Sequence, residues 1–279
     1  MAAAATPNAR VTGAEFKAQL RGGAIKLGLF VNSASMTVAE QLAHSGYDWL
    51  LIDTQHGPMN RENLAAMLCA VASGGAKSMV RVGGFNDRSG IQQALDLGAD
   101  GILVPMVDTA EEARIAVSAC KYPMEGTRSV YFPQRSTNKD GLIGYVLNAN
   151  ANIIVAIQVE TASCIDHVEA IAAVPGVDML FLGQNDLCMS MGLYVKYQYP
   201  QMYASPELKT ATDKLVLAAK AKHIILGVFL FGTARVKQFA DQGFTFISIG
   251  NDLHHLMTQA KEHVDAVELE LPTYKRRAH

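Results

Sequence analysis

The chain has 279 residues, of which 49% are apolar and 18% charged, and its formal net charge at neutral pH is −2. That length suits one α/β barrel over residues 1–279, and the near-neutral balance gives no general attraction to nucleic acid or an anionic membrane. No apolar run approaches the roughly 20 residues of a membrane-spanning helix, so the expected partners are small molecules.

Cys69, Cys120, Cys164 and Cys188 are far apart in sequence and form no C-x-x-C pair, the pattern of a reduced, cytoplasmic chain. Residues 1–12 are alanine-rich but lack the basic and apolar regions of a secretory signal, and are expected to be a frayed end.

From there, short apolar runs rich in strand formers alternate with segments of helical spacing. The predicted strands are residues 27–31, 49–53, 78–82, 101–105, 153–159, 179–182, 224–230 and 246–249. Eight successive βα units, without an early glycine-rich dinucleotide fingerprint, predict a closed (β/α)8 TIM barrel rather than an open doubly wound sheet. The turns beginning at Gly46, Gly98, Gly176 and Gly243 fall between a helix end and the next strand, where a glycine cap is favoured. They read as structure on the bottom face. Residues 123–152 and 188–205 exceed minimal connections, and such segments usually carry function.

Catalytic groups of this fold lie at the C-terminal strand ends and in the loops after them. The second strand brings Asp53 to its tip, with His56 in the loop beyond, and Arg81 lies within the apolar third strand. The fifth strand ends with Gln158 and Glu160, and Asp186 follows the sixth. Two neighbouring carboxylates repel unless a proton or a cation is shared, and a pair of carboxylates suits a hard ion such as Mg²⁺ or Mn²⁺, with Co²⁺ also admissible. A buried Arg81 requires an anion. His56 is the candidate general base, with Asp53 expected to orient its ring. Lys26 and Lys77 stand at strand beginnings, on the wrong face for Schiff-base chemistry.

The ordered motifs GYDWLLIDTQHGPMN, VRV, GADGILVPMVDTAEEAR, YPMEGTRS, QVET and LGQNDLCMSMG resemble the HpcH/HpaI family of metal-dependent pyruvate aldolases. The resemblance implies a divalent metal held by Glu160 and Asp186, a 2-oxo acid bound there, and an aldehyde as the second partner. It implies that Arg81 steadies the developing oxyanion and that His56 with Asp53 moves the proton. It further implies that backbone N–H groups around Gly183, Asn185 and Asp186 hold the substrate carboxylate near Gln158, and that Phe30, Pro105 and Leu230 form apolar walls. A homo-oligomer, trimer or hexamer, with residues 252–267 as the contact helix, belongs to the same expectation. Gln55 departs from the family's usual glutamate, and the turn from Gly183 to Cys188 departs from its G-P-x-D-L-S. Decarboxylation of oxaloacetate passes through the same enolate. The alternatives are a citrate-lyase-β-like lyase acting on a CoA thioester, for which Lys196 is a candidate contact, and a non-catalytic metabolite-binding barrel.

Overall fold

In the computed structural model, which describes residues 11–130, 137–271, 273–275 and 277, eight parallel strands close into a barrel in sequence order. They are β1 (Lys26–Val31), β2 (Trp49–Asp53), β3 (Lys77–Arg81), β4 (Gly101–Val104), β5 (Ile154–Val159), β6 (Met179–Leu182), β7 (Ile225–Phe229) and β8 (Phe246–Asn251). β8 pairs with β1 to complete the ring. All eight expected strands are present, and the helices wrap the outside, as the alternating patterns require.

Successive strand residues point to opposite faces, and the two faces fill differently. Leu29, Leu50, Val80, Ile102, Val155, Leu180 and Val228 face the helices and join the outer core. Trp49, Met79, Ile154, Met179, Phe181, Ile225 and Phe246 fill the barrel interior. Large and small residues alternate within that interior. Trp49 stacks on Phe246 with ring centroids 3.7 Å apart, and it can do so because residue 28 is glycine: a Cβ there would come within 2.0 Å of the indole.

A helix absent from the sequence expectations, Gly13–Arg21, closes the bottom of the barrel by adding Phe16 and Leu20 to the interior cluster. Its start is a reciprocal capping box between Thr12 and Glu15, which satisfies two N–H groups that a helix N-terminus leaves open. The expectation of a frayed end is therefore corrected at Thr12. Residues 1–10 lie outside the described residues.

The bottom face is braced by acids preceding strands. Asp48 accepts from the Leu27 N–H and pairs with Lys26, while Asp100 accepts from the Ser78 N–H and pairs with Lys77. Asp178 accepts from the Val155 N–H and meets both Lys17 and Arg21. Lysines at strand beginnings thus serve structure, and the polar residues with chemical capacity collect at the other end. Of the two long segments, the first contains helix Thr137–Asn152 and the second contributes short helices Leu193–Lys196 and Gln201–Ala204 to the barrel top. The last helix, Asp252–Glu270, buries only Asp252. Among the described residues no helix is long and apolar enough to cross a membrane.

Candidate active site

The C-terminal ends of the strands surround a cavity of about 350 Å³, lined among others by Phe30, Asp53, His56, Arg81, Gln158, Gly183, Asn185 and Asp186. Parallel pairing sets the floor. Asp53 and Arg81 are register partners on β2 and β3, so their side chains rise together into the interior. Arg81 Nε donates to Asp53 Oδ1 at 2.9 Å and Nη2 donates to Oδ2 at 2.6 Å. Asn32 Nδ2 and the backbone N–H groups of Gln55 and His56 complete the shell of that carboxylate. Burial raises the Asp53 pKa, but the hydrogen bonds and charge of Arg81, aided by His56 N–H and Asn32, outweigh it and hold the carboxyl below its ordinary value.

This geometry corrects one expectation. Asp53 meets His56 at its backbone N–H rather than at its ring, because the carboxylate is committed to Arg81. The aspartate shapes the loop, and the imidazole stands exposed at the cavity wall. Gln55 also donates its N–H to Asp53, while its side-chain Oε1 is buried without a hydrogen-bond partner among the described residues.

Glu160, 2% exposed, does not itself line the cavity, although Gln158 and Asp186 do. Met106 N–H donates to Glu160 Oε1 at 2.8 Å, and Gln158 Nε2 donates to Glu160 Oε2. Met106 adopts a left-handed φ of 55°, a strained conformation for a side-chain-bearing residue of the kind that concentrates at functional sites. Burial raises the Glu160 pKa, the Met106 hydrogen bond opposes the rise, and the charge of nearby Asp186 adds to it. Gly183 permits the close approach of the sixth strand end, since a Cβ there would stand 3.2 Å from both Glu160 Oε2 and Gln158 Nε2.

A buried carboxylate whose ionisation is opposed by burial and by a second carboxylate is the kind of donor that a hard cation relieves. The residues present therefore fit a divalent metal held by Glu160 and Asp186. Among the described residues no group of three or more His, Cys, Asp or Glu side chains forms a metal cluster.

Several expected residues need reassignment. The Gly183 N–H is already donated to Val159 O, so an anion at this turn falls to the first N–H groups of helix Gln184–Ser190, which a helix N-terminus leaves open. Leu230, 1% exposed, belongs to the outer core; its neighbours Phe229 and Phe231 line the cavity instead. Pro105 is buried but does not line the cavity, whereas Phe30 does. Lys196 is ion-paired with Glu207, which removes it as a ready contact for a CoA phosphate.

Residues that the sequence reading did not single out also line the cavity: Asn32, Phe181, Tyr203, Phe229, Phe231 and Arg235. The period-2 pattern could have found Asn32 beyond Phe30 and Phe229 after Gly227. Tyr203 and Arg235 come from connections whose paths no periodicity fixes.

An acidic pair for a cation and a guanidinium with one terminal nitrogen left toward the cavity stabilise charge developing on oxygen as a neighbouring bond breaks. On a closed barrel, this is the equipment of a carbon–carbon lyase. The chain belongs to the HpcH/HpaI aldolase/citrate lyase family, whose model matches residues 26–259. It is similar to 4-hydroxy-2-oxovalerate aldolase of Novosphingobium aromaticivorans, with 40% identity over 238 residues, 85% of this chain and 88% of that protein. It is also similar to 2-dehydro-3,6-dideoxy-6-sulfogluconate aldolase of Pseudomonas putida, with 36% identity over 236 residues, 85% of this chain and 90% of that protein. A crystal structure of an HpcH/HpaI aldolase/citrate lyase family protein from Burkholderia cenocepacia J2315 has a TM-score of 0.82 and 32% identity, covering 91% of this chain and 99% of that one.

Proposed function

We propose that this lyase is a metal-dependent pyruvate aldolase that cleaves and forms 4-hydroxy-2-oxo acids, with oxaloacetate decarboxylation as an accompanying activity. The observation that carries the reading is Glu160, a buried carboxylate destabilised by burial and by Asp186 and within electrostatic reach of Arg81. A divalent cation held by these two carboxylates, Mg²⁺, Mn²⁺ or Co²⁺, supplies Lewis acidity toward the 2-oxo group.

The chain's own residues divide the remaining work. Asp53 occupies Arg81 Nε and Nη2, leaving Nη1, 3.5 Å from Gln158 Oε1, to donate to the oxygen on which enolate charge develops. The fork also fixes the guanidinium before substrate arrives, so no reorganisation is needed during reaction. The first N–H groups of helix Gln184–Ser190, at Gln184, Asn185 and Asp186, meet the substrate carboxylate. His56 takes the proton of the 4-hydroxyl as the adjacent carbon–carbon bond breaks, releasing the aldehyde. Protonation of the enolate then gives pyruvate.

The helix Asp252–Glu270 supports a homo-oligomer, trimer or hexamer, because it leaves Leu256, Met257 and Leu269 exposed, apolar surface that a monomer rarely displays on one element. Cytoplasmic location accords with the free cysteines.

The deciding experiment measures pyruvate release from a panel of 4-hydroxy-2-oxo acids and oxaloacetate, using chelator-stripped protein restored with each metal. Metal-restored release that is lost in Glu160→Gln and Asp186→Asn is expected. Metal binding without release from any compound would instead favour a CoA-thioester lyase or a non-catalytic barrel.

A further inference from the structure

The two carboxylates of the acidic pair are held in different ways. Glu160 is fixed directly, by the Met106 N–H and by Gln158. Asp186 is exposed, and its carboxylate has no hydrogen bond or ion pair among the described residues. Its place is therefore set by the backbone of its own turn, the first of helix Gln184–Ser190.

That turn lacks the fastening found elsewhere around the barrel mouth. The first helix after each of β1 to β5, and the one after β8, starts at a residue whose side chain accepts an N–H of the opening turn: Ser35, Asn60, Asp87, Thr109, Thr161 and Asn251. Such a cap satisfies a donor that a helix start leaves open and fixes the entry of the chain. The first helices after β6 and β7 start from Gly183 and Arg235, and neither has a side-chain cap. These two uncapped starts are fastened to one another instead.

Arg235 Nη1 donates to Gln184 Oε1 at 3.0 Å, while Gln184 Nε2 donates to Phe229 O at the end of β7, at 3.1 Å. The next residue, Asn185, accepts from the Tyr203 hydroxyl. The circuit closes because the Arg235 guanidinium packs on aromatic rings, its Cζ 5.0 Å from the Tyr203 centroid and 5.5 Å from that of Phe239. A planar guanidinium can stack by its face while donating from its edge, which an ammonium cannot do. Gln184 and Asn185 are thus each held through the side chain, by partners that hold one another, and Asp186 is the next residue in the chain.

We infer that Arg235, together with Tyr203, is a positioning residue for Asp186: the two hold residues 184 and 185 so that the carboxylate that follows is kept near enough to Glu160 to share a divalent cation with it. This inference rests on the metal-dependent reading of the site and adds what sets the second carboxylate in place.

The test is Mn²⁺ affinity, read from the electron paramagnetic resonance signal of the free ion over chelator-stripped protein, so that turnover plays no part. Arg235→Met is expected to weaken binding about 10- to 100-fold, the usual effect of losing a group that orients a metal ligand. Tyr203→Phe keeps the ring against Arg235 and loses only the hydroxyl, and is expected to weaken binding about 2- to 10-fold, the contribution of one hydrogen bond. The sign is decisive. A guanidinium that acted only as a positive charge would repel the cation, and its removal would tighten binding. Affinity that is unchanged or tighter in either variant overturns the inference, and where Arg235→Met does not fold, Tyr203→Phe decides alone. If wild type takes up no Mn²⁺, or binds it equally well after Glu160→Gln, the metal reading itself fails, and this inference with it. Binding that is lost in Glu160→Gln but intact in Arg235→Met refutes this inference alone.

Discussion

Arg81 closes a two-bond fork on Asp53 across the β2–β3 register pair, at 2.9 and 2.6 Å, with the Asp53 side chain wholly buried. Removing one member of such a pair leaves a buried charge without its partner, which costs about 3–5 kcal/mol. Asp53→Ala is expected to lower stability by that order in urea unfolding and to reduce turnover by freeing Arg81 from its set orientation. The sign with pH follows from the depressed Asp53 pKa. Its contribution is present above the ordinary carboxylate value near 4 and is lost as pH falls through the lower folded value. Wild type and Asp53→Ala should therefore converge in stability on acidification, and a constant gap down to strong acid would contradict the fork's role.

Glu160→Gln removes a charge whose burial is unfavourable in the absence of a cation. The metal-free variant is expected to be at least as stable as metal-free wild type. Wild type should gain stability as Mn²⁺ is added, by about 2.7 kcal/mol at a hundredfold excess over Kd, whereas the variant should gain little. Thermal unfolding with and without Mn²⁺ reads both effects, and an equal rise in the two proteins would place the metal elsewhere.

His56 lines the cavity without being buried in it. Its replacement by alanine should leave the unfolding midpoint within about 0.5 kcal/mol of wild type, as for other exposed positions. If the imidazole is the base, kcat for aldol cleavage should fall about 10²- to 10⁴-fold. Steady-state kinetics beside a denaturation curve separates this from a folding defect, and a small loss would move the proton transfer to another group.

Ending the chain after residue 255 removes Leu256, Met257 and Leu269 from the last helix while keeping Asp252, whose carboxylate accepts from the Asn32 and Ser33 N–H groups. Light scattering is expected to show a smaller assembly than the full chain forms. An unchanged mass would put the subunit contact on another face.

The barrel was legible because both faces of each strand are buried, leaving continuous apolar runs between turns. Asp53, Arg81, Glu160 and Asp186 were legible for the complementary reason: they interrupt or terminate those runs. What failed was finer than periodicity. Leu230, matched to an apolar wall by resemblance, lies in the outer core, one residue out of step with the inward face that period-two alternation sets, and Phe229 and Phe231 line the cavity. The Asp53 carboxylate could not be allotted between His56 and Arg81 without the β2–β3 register. The helix carrying Phe16 and Leu20 did leave a signal, T-G-A-E at residues 12–15, but it stood beside an alanine-rich end that masked it.

The chain's single tryptophan, Trp49, lies in the lower interior, stacked on Phe246 with its indole N–H on Lys26 O. It does not line the cavity. Intrinsic fluorescence of this protein is consequently a gauge of whether the barrel is closed and nearly blind to what occupies its mouth. Ligand titrations call for a different optical signal, while folding studies have a native probe seated in the middle of the structure they report on.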